Sequence, residues 1–327
     1  MHILQVLNHV VPAMKYGGTE RIVWWLSKRL AEMGHRVTLL APAGSSCEFA
    51  EVLPFNPAVP LQQQVPASVD VVHIHDHRQT APETPTIFTF HGNSFSAGSM
   101  HENTVFISAN QAKRHGGSVF VYNGLDIQEY GQPDWNVSRD RLVFLAKAAW
   151  KVKNVRDAVL IARKAGYPID IAGGTRLNFK MGFRLTLDPN ARFRGMVDHA
   201  RKIRILGKGL ALLFPVRWHE PFGLALIESL YFGNPVFGTP FGSLPEIVTQ
   251  EVGFLSSSRT ELIEQVRQLG RFDRRRCHEY VCDCFSSTTM TGNYLALYEK
   301  VCNGESLHGQ RPAWPDSTEA AYLSLQD

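Results

Sequence analysis

Two glutamates close together in the chain could carry the chemistry of a site for a polar ligand. Glu220 and Glu228 lie eight positions apart in the segment 219–229. Pro221 suits the first turn of a helix, where its missing N–H group costs nothing. A helix that begins here places Glu220 just before its start and Glu228 two turns inside, roughly 12 Å further along the axis.

The first turn of this predicted helix offers backbone donors between the two carboxylates. The N–H groups of Phe222, Gly223 and Leu224 have no intrahelical acceptor, so they are available to an anion or a sugar hydroxyl. A sugar nucleotide has a matching length between its sugar and its ribose. Two solvent-facing surface glutamates are the alternative, and the glycine- and proline-rich segment 238–248 argues against it.

The elements around these residues follow an alternating pattern. Residues 3–7 form a short apolar run, apolar residues recur at helical spacing over 22–33, and residues 37–41 form a second apolar run. Such a strand–helix–strand unit is typical of a parallel sheet with right-handed crossovers. Residues 131–140 are polar and rich in turn formers, and the alternation restarts after them. Further strands are predicted over 69–74, 86–90, 104–108, 118–122, 142–146, 169–172, 192–194, 211–216 and 235–238.

Two α/β halves of similar size fit a chain of 327 residues. In an open α/β sheet, ligands bind beyond the carboxyl ends of the strands. Polar and small residues follow these predicted ends, and small residues let backbone N–H groups approach a ligand closely. They are Gly17, Gly18, His75, His91, Asn123, Gly124, Lys147, Gly173, Gly174 and Glu220. The sequence therefore predicts that, in both halves, the carboxyl edge of the sheet is polar and rich in glycine.

Composition and charge exclude several classes of protein. The net charge of +4 is too small to argue for a nucleic acid partner, so we expect none. No apolar run approaches the roughly 18 residues of a membrane span, and no signal peptide precedes the first strand. Five cysteines without paired spacing indicate free thiols in a reducing compartment, which predicts a cytoplasmic protein.

We expect no metal ion in the site, because no Asp-x-Asp motif occurs in the sequence. The alternating His73, His75 and His77 are only a weak candidate for a metal site.

The segment from Glu220 to Glu228 closely resembles the E-x7-E signature of the retaining glycosyltransferases of family four, which have the two-domain GT-B fold. Other segments resemble further landmarks of that family, in the same order, over about residues 1–300. They are residues 17–21, 34–38, 72–75, 89–92, 121–126 and 285–286, together with Tyr294 and Tyr298. The ordered set, rather than any single motif, carries the resemblance.

The resemblance implies an α/β protein of GT-B architecture. Two Rossmann-like domains face each other across a cleft, and a C-terminal helix crosses back to the first domain. We assign residues 1–135 to an acceptor-side domain that is completed by a helix over 286–302. Residues 136–285 are assigned to the domain that binds the nucleotide-sugar donor, and residues 303–327 to a polar tail.

For the donor domain, the resemblance also implies the roles of individual residues. Glu228 accepts hydrogen bonds from the ribose hydroxyl groups of the donor, and Glu220 lies near the transferred sugar. The backbone N–H groups of Phe222, Gly223 and Leu224 bind hydroxyl groups of that sugar.

The lysine region departs from the family pattern. Relatives carry Gly-Arg shortly before Lys-Gly, whereas this chain has Lys147 in place of the arginine, followed by Lys151 and Lys153. The ammonium of Lys147 supplies a single point charge, whereas the guanidinium of an arginine can bind two phosphate oxygens at once. The register of the following helix favours Lys153 over Lys151 as the second cation at the diphosphate, and a solvated face of three lysines is the alternative.

In the first domain, the resemblance implies that His91 faces the reacting sugar and that Gly17 and Gly18 approach the diphosphate. Departure of a nucleoside diphosphate leaves an oxocarbenium-like sugar, so the negative charge on the phosphates must be stabilised, as lysines and helix N-termini can do. A double displacement needs a carboxylate nucleophile on the correct face, and none is evident. The expected route is therefore a front-face displacement with retention of configuration.

The predicted activity is transfer of a sugar from a UDP- or GDP-linked donor to a sugar, lipid-linked or small-molecule acceptor. We expect no cofactor beyond the nucleoside-diphosphate sugar as co-substrate, while a peripheral membrane contact and the oligomeric state stay open. A GT-B phosphorylase or sugar-nucleotide epimerase is the first alternative, and it would show phosphate-dependent turnover or isomerisation without acceptor. A catalytically silent subunit that binds the nucleotide sugar is the second.

Overall fold

The computed structural model describes residues 1–13, 17–93, 99–179, 183–314 and 322–327. Its strands are β1 (His2–Val6), β2 (Arg36–Ala41), β3 (Glu51–Pro54), β4 (Val71–Ile74), β5 (Thr86–Phe90), β6 (Thr104–Phe106), β7 (Arg141–Leu145), β8 (Ile169–Ala172), β9 (Leu177–Asn178), β10 (Arg184–Leu185), β11 (Ala191–Phe193), β12 (Gly209–Phe214), β13 (Val236–Gly238) and β14 (Gly253–Leu255). Its α-helices are α1 (Gly18–Glu32), α2 (Ala109–Arg114), α3 (Val155–Ala165), α4 (His199–Gly207), α5 (Leu224–Tyr231), α6 (Leu244–Ile247), α7 (Arg259–Arg267), α8 (Arg274–Cys284) and α9 (Ser287–Cys302).

The first unit is built on a parallel sheet in the order β3-β2-β1-β4-β5-β6. Every residue of β1, β4 and β5 is buried, because helices cover both faces of a parallel sheet and its strands are therefore nearly all apolar. Helix α9 packs against α1, β4 and β5 and so belongs to this unit, although it follows the second unit in the chain. The order of the sheet reverses between β1 and β4.

The second unit repeats this topology with the order β11-β8-β7-β12-β13-β14. The order reverses between β7 and β12. Helix α3 packs on α7 and α5 packs on α8, so helices cover this sheet as well. The predicted α/β class with two Rossmann-like halves is confirmed.

The described residues divide into Met1–Asp126 with residues 285–314, and Ile127–Cys284 with residues 322–327. The sequence placed this division at 135/136 instead. Residues 127–135 join the second unit because their aromatic side chains pack there. The ring centroid of Tyr130 lies 6.3 Å from that of Phe232, and Trp135 lies 5.5 Å from His278.

The C-terminal segment is held by backbone hydrogen bonds rather than being a separate tail. In the first unit, the N–H group of Met100 donates to the carbonyl of Pro312 at 2.8 Å. In the second unit, the N–H group of Leu323 donates to the carbonyl of Arg217, also at 2.8 Å. Residues 315–321 of the predicted tail lie outside the described residues.

Other elements differ from the sequence prediction. No strand forms over 118–122, where the described backbone makes only an isolated bridge between Phe106 and Phe120. Strands β3 and β14 and the antiparallel pair β9–β10 were not predicted, because each is too short to show a clear period in the sequence.

The β9–β10 hairpin turns its apolar face to solvent. Phe179 and Phe183 are 72% and 70% exposed, and their rings lie 5.9 Å apart. On the opposite face, the guanidinium groups of Arg176 and Arg184 stack over the ring of Phe193 in β11. Among the helices in the described residues, none combines the length and the apolar character needed to span a lipid bilayer.

Candidate functional site

The candidate site of the second unit lies at the carboxyl ends of β7 and β12. The order of the sheet reverses between these two strands, and sheets of this kind bind ligands at the reversal. The loop after β7 carries Lys147 and Lys153, and the loop after β12 carries Glu220. The topology therefore brings together residues that are far apart in the chain.

Glu220 and Lys153 form a buried ion pair in this site. The ammonium of Lys153 donates to Oε2 of Glu220 at 2.6 Å, and the indole N–H of Trp218 donates to the same oxygen at 2.7 Å. Glu220 is 6% exposed and Lys153 is 8% exposed. Within the described part of the chain, Oε1 of Glu220 has no hydrogen-bond partner, so this oxygen can accept a hydrogen bond from a ligand.

Aromatic rings enclose the ammonium of Lys153. It lies 4.8 Å from the ring centroid of Trp218 and 5.4 Å from that of Phe214. Ring faces attract a cation, and a site poor in water strengthens that attraction and the ion pair. An ammonium has three donors, and Glu220 takes one of them. The remaining N–H groups suit a second anionic partner such as a phosphate oxygen.

The loop after β13 fixes the backbone of Glu220. Glu220 and Gly242 form a parallel bridge, and the N–H group of Ser243 donates to the carbonyl of Glu220 at 2.9 Å. Gly242 has a φ of 68°, and a Cβ at this position would overlap the backbone N and O of Glu220. Only glycine permits this approach, so Gly242 supports the carboxylate although it makes no side-chain contact.

The three lysines after β7 have different surroundings. Lys151 is exposed and Lys153 is buried, although both belong to one 3-10 turn. Asn154 ends this turn with a φ of 57°, and its side-chain amide donates to the carbonyl of Pro215 at 3.0 Å. Lys147 is half-buried, with its ammonium 5.2 Å from the ring centroid of Trp150. The structure thus places Lys153, the lysine favoured from the sequence, beside Glu220.

Glu228 forms the second buried pair, with partners that the sequence did not indicate. Its Oε1 accepts a hydrogen bond from the hydroxyl of Tyr130 at 2.6 Å and also pairs with the ammonium of Lys202. Glu228 is 5% exposed and Lys202 is 7% exposed. Tyr130 directly precedes the polar segment 131–140, and Lys202 is one of several basic residues in its segment, so no local pattern distinguishes either one.

The helix between the two glutamates begins later than predicted. It starts at Leu224, and its N-cap residue Gly223 has a φ of 84° and a ψ of 68°. This left-handed conformation cannot continue a right-handed helix, so Pro221 and Phe222 lie outside it. The helical rise therefore does not set the separation of the carboxylates, and the N–H group of Phe222 is not one of the helix donors. Gly223 and Leu224 remain at the N-terminus of α5.

The predicted residues of the first unit lie at the carboxyl ends of its strands. Gly17 is the N-cap residue of α1 and Gly18 is its first helical residue. His91 follows β5, and its Nε2 lies 2.8 Å from Nδ1 of His75, which follows β4. Burial lowers the pKa of His91 to about 3, so its ring is neutral near pH 7.

The alternating histidines His73, His75 and His77 do not form a metal site within the described residues. Among these residues, no group of three His, Cys, Asp or Glu side chains is placed so that it could hold a metal ion. His73 and His75 are bound to polar side chains of the first unit. His77 lies apart from them, with its ring 5.0 Å from that of Trp314.

Comparisons with known proteins match the second unit to a family of glycosyltransferases. Residues 137–280 match the family model of the glycosyl transferases group 1. The N-acetyl-alpha-D-glucosaminyl L-malate synthase of Bacillus anthracis is 24% identical over 205 residues, which cover 55% of this chain and 53% of that protein. The chain spans 32% to 53% of the length of the curated relatives it matches first.

Solved structures agree on the fold. AviGT4, a glycosyltransferase involved in avilamycin A biosynthesis, superposes with a TM-score of 0.75 at 21% identity, covering 92% of this chain and 98% of that chain. Anabaena HepE, in complex with UDP and glucose, gives a TM-score of 0.65 at 15% identity, covering 92% of this chain and 100% of that chain. At these identities the likeness establishes the GT-B fold.

Proposed function

We propose that this protein transfers a hexose-type sugar from a nucleoside-diphosphate sugar to an acceptor hydroxyl, with retention of configuration, because residues 137–280 match the family model of the glycosyl transferases group 1. The observation that carries the proposal is the pair of buried carboxylate–lysine contacts beside α5. A UDP-linked donor is the first choice, since HepE was solved with UDP and glucose.

The second unit has groups suited to each part of such a donor. We assign the ribose hydroxyls to Glu228 and the diphosphate to Lys147 and Lys153. The backbone N–H groups at the start of α5 and Oε1 of Glu220 are assigned to hydroxyl groups of the transferred sugar. The described contacts support this assignment, because Lys153 keeps N–H donors beyond the one that Glu220 uses.

A front-face displacement fits these groups. The bond between the anomeric carbon and the diphosphate oxygen breaks, and the acceptor oxygen bonds to the same face of the carbon. The acceptor proton passes to an oxygen of the departing phosphate. Glu220 is a poor candidate for a covalent nucleophile, because Lys153 and Trp218 both stabilise the charge on its Oε2. We propose that the lysines neutralise the diphosphate and that no metal is required.

We assign the acceptor to the first unit. A cavity of about 300 Å³ lies there, with aromatic and polar side chains in its wall. Trp314 is part of this wall, and its ring lies 5.3 Å from that of Phe90. An aromatic face beside polar groups is suited to a sugar ring. We assign to His91 the role of binding a hydroxyl group of the reacting sugar.

We further propose a cytoplasmic location with peripheral contact to a lipid surface. Free thiols at all five cysteines, which lie in the described residues, fit a reducing compartment. The outward apolar face of the β9–β10 hairpin, with arginines on its other face, fits the boundary of an anionic bilayer.

The first experiment measures the thermal midpoint with UDP, GDP and ADP, with and without Mg²⁺, and compares wild type with Glu228→Ala. A ligand at about 100 times its Kd adds about 2.7 kcal/mol of stability. We expect one nucleotide to raise the midpoint without metal and Glu228→Ala to abolish the rise. Glu264→Ala, an exposed glutamate on α7, is the matched control and should respond like wild type.

A transfer assay with the stabilising nucleotide sugar then separates the alternatives. Phosphate-dependent turnover would indicate a phosphorylase, and isomerisation without acceptor would indicate an epimerase. Binding without transfer to any acceptor would indicate a silent subunit. If no nucleotide stabilises the protein, the donor-site assignment is wrong and the fold alone stands.

A further inference from the structure

A chain of hydrogen-bonded side chains crosses the interior of the first unit and ends at His91. Its members, in order, are Tyr294, Thr89, His73, Tyr298, Gln5, His75 and His91. The first six are at most 8% exposed. Buried polar groups are costly unless they are paired, and a fully paired network fixes one arrangement of its members.

The topology of the sheet assembles this chain. Gln5 lies in β1 and His73 in β4, the two strands between which the order of the sheet reverses, and they are register partners. Helix α9 supplies Tyr298, whose hydroxyl lies 2.8 Å from Nδ1 of His73 and 3.3 Å from the amide nitrogen of Gln5. Helix α9 thus supplies the hydroxyl that accepts from the amide nitrogen of Gln5, in the orientation that the structure gives this amide.

The direction of the hydrogen bonds follows from the chemistry of Gln5. In the orientation that the structure gives the amide, Oε1 faces Nε2 of His75 at 2.7 Å and can only accept, so Nε2 of His75 donates. A neutral imidazole that donates from Nε2 has an unprotonated Nδ1. Nδ1 of His75 therefore accepts from Nε2 of His91, at 2.8 Å. This leaves Nδ1 of His91 as an acceptor.

Charge does not disturb this arrangement near neutral pH. Burial lowers the pKa of His73 and His75 well below the usual value, and that of His91 to about 3. The titratable groups that face the chain are these three histidines, which lie in β4 or directly after β4 and β5, and the two tyrosines of α9, whose pKa values burial raises. Asp76, next to His75, pairs with Arg78 at 2.9 Å. The chain is therefore neutral, and it sets a tautomer rather than a charge.

We propose that Gln5 and His75 are positioning residues that hold His91 in the Nε2–H tautomer, so that its Nδ1 accepts a hydrogen bond from a substrate hydroxyl. The identity of that hydroxyl, on the reacting sugar, rests on the proposed function, whereas the tautomer does not. In this arrangement His91 orients a hydroxyl group and does not act as a proton donor.

The test is the ¹⁵N spectrum of the histidine side chains in the full-length protein, since protonated and unprotonated ring nitrogens resonate in separate regions. In wild type we expect His91, assigned by its loss in His91→Asn, to be protonated on Nε2 and unprotonated on Nδ1. The opposite tautomer, or an equal mixture, overturns the proposal. This measurement needs no substrate, so it is independent of whether sugar transfer is observed.

Gln5→Glu is the matched perturbation, because it keeps the shape of the side chain and replaces the donor by a second acceptor oxygen. A carboxylate beside Nε2 of His75 raises the pKa of that ring, and protonated His75 then donates from Nδ1 to His91. We expect His91 to change to the Nδ1–H tautomer and kcat to fall about tenfold, the loss of one hydrogen bond. The pH profile should gain an ionisation between about pH 5 and 8.

Thr89→Val and Gln5→Leu complete the set. Thr89→Val interrupts the chain beyond His73 and leaves the Gln5–His75–His91 part intact, so the tautomer of His91 should stay as in wild type. Gln5→Leu removes the acceptor without adding charge and should give His91 a mixture of tautomers. UDP should stabilise every variant as it does wild type, because Glu228 lies in the other unit. An unchanged tautomer of His91 in both Gln5 variants contradicts the proposal.

Discussion

Removal of the ammonium of Lys202 should destabilise the second unit and weaken nucleotide binding. Lys202 and Glu228 are 7% and 5% exposed, so Lys202→Met leaves a carboxylate buried with the hydroxyl of Tyr130 at 2.6 Å as a donor. Loss of one partner of a buried ion pair costs about 3–5 kcal/mol in the free energy of unfolding. The methionine fills the space of the aliphatic stem, so we expect the cost to come mainly from the loss of the ammonium beside the buried carboxylate.

The assay is urea unfolding of Lys202→Met, Glu228→Gln and the double variant, compared through their transition midpoints. Each single variant should lose about 3–5 kcal/mol in the free energy of unfolding, and the double variant should lose less than the sum, because it removes both charges of the pair together. The control is Arg36→Met, whose partner Glu51 lies at 3.3 Å with side-chain exposures of 62% and 51%. A pair this exposed should contribute less than about 1 kcal/mol.

Two outcomes would refute this reasoning. If Lys202→Met costs no more than Arg36→Met, the pair is not buried in solution. If the losses of the single variants add up in the double variant, the two charges do not interact. The midpoint shift with UDP separates stability from function, because Glu228→Gln should abolish it and Lys202→Met should reduce it.

Four further outcomes are expected. Gly242→Ala should lower kcat at least about tenfold, since a Cβ displaces the backbone of Glu220. A fully active variant would contradict the role of Gly242 in fixing that backbone. The free energy of unfolding should fall as the pH drops from about 6.5 to about 3, by up to about 1.4 kcal/mol per pH unit from His91, because protons then bind the unfolded ring first. His73 and His75, whose pKa values burial also lowers, add to this loss, and His91→Asn should reduce the slope in a pH series of unfolding curves. Phe183→Asp should abolish co-sedimentation of the protein with phosphatidylglycerol vesicles. If wild type instead forms a concentration-dependent oligomer that this variant loses, the exposed face of the hairpin binds a second copy of the protein and not a lipid surface. Trp314→Ala should raise KM for the acceptor with the donor KM unchanged, and a matching rise in both would contradict an acceptor cavity.

The sequence predicted those elements whose patterns are local. The strands over 86–90 and 169–172 appear with the predicted bounds, because each is a short, largely apolar run that is buried on both faces. The start of α5 was predicted wrongly, since the left-handed conformation of Gly223 is not visible in a pattern that proline at 221 made look helical. The β9–β10 hairpin was not predicted, because its strands have only two residues each and show no periodic pattern in the sequence.

For the site, residue types and the family resemblance indicated the glutamates, the lysines and His91 before any contact was known. The hydrogen-bond and ion-pair partners of these residues, in contrast, were decided by the tertiary structure alone. Lys153 and Glu220 are 67 positions apart, and Tyr298 and His73 are 225 positions apart. Their meeting depends on the order of the strands and the return of α9 to the first unit. Periodicity reports which residues face a core, whereas the pairing of buried charges and the tautomer of a histidine depend on which neighbours the fold supplies.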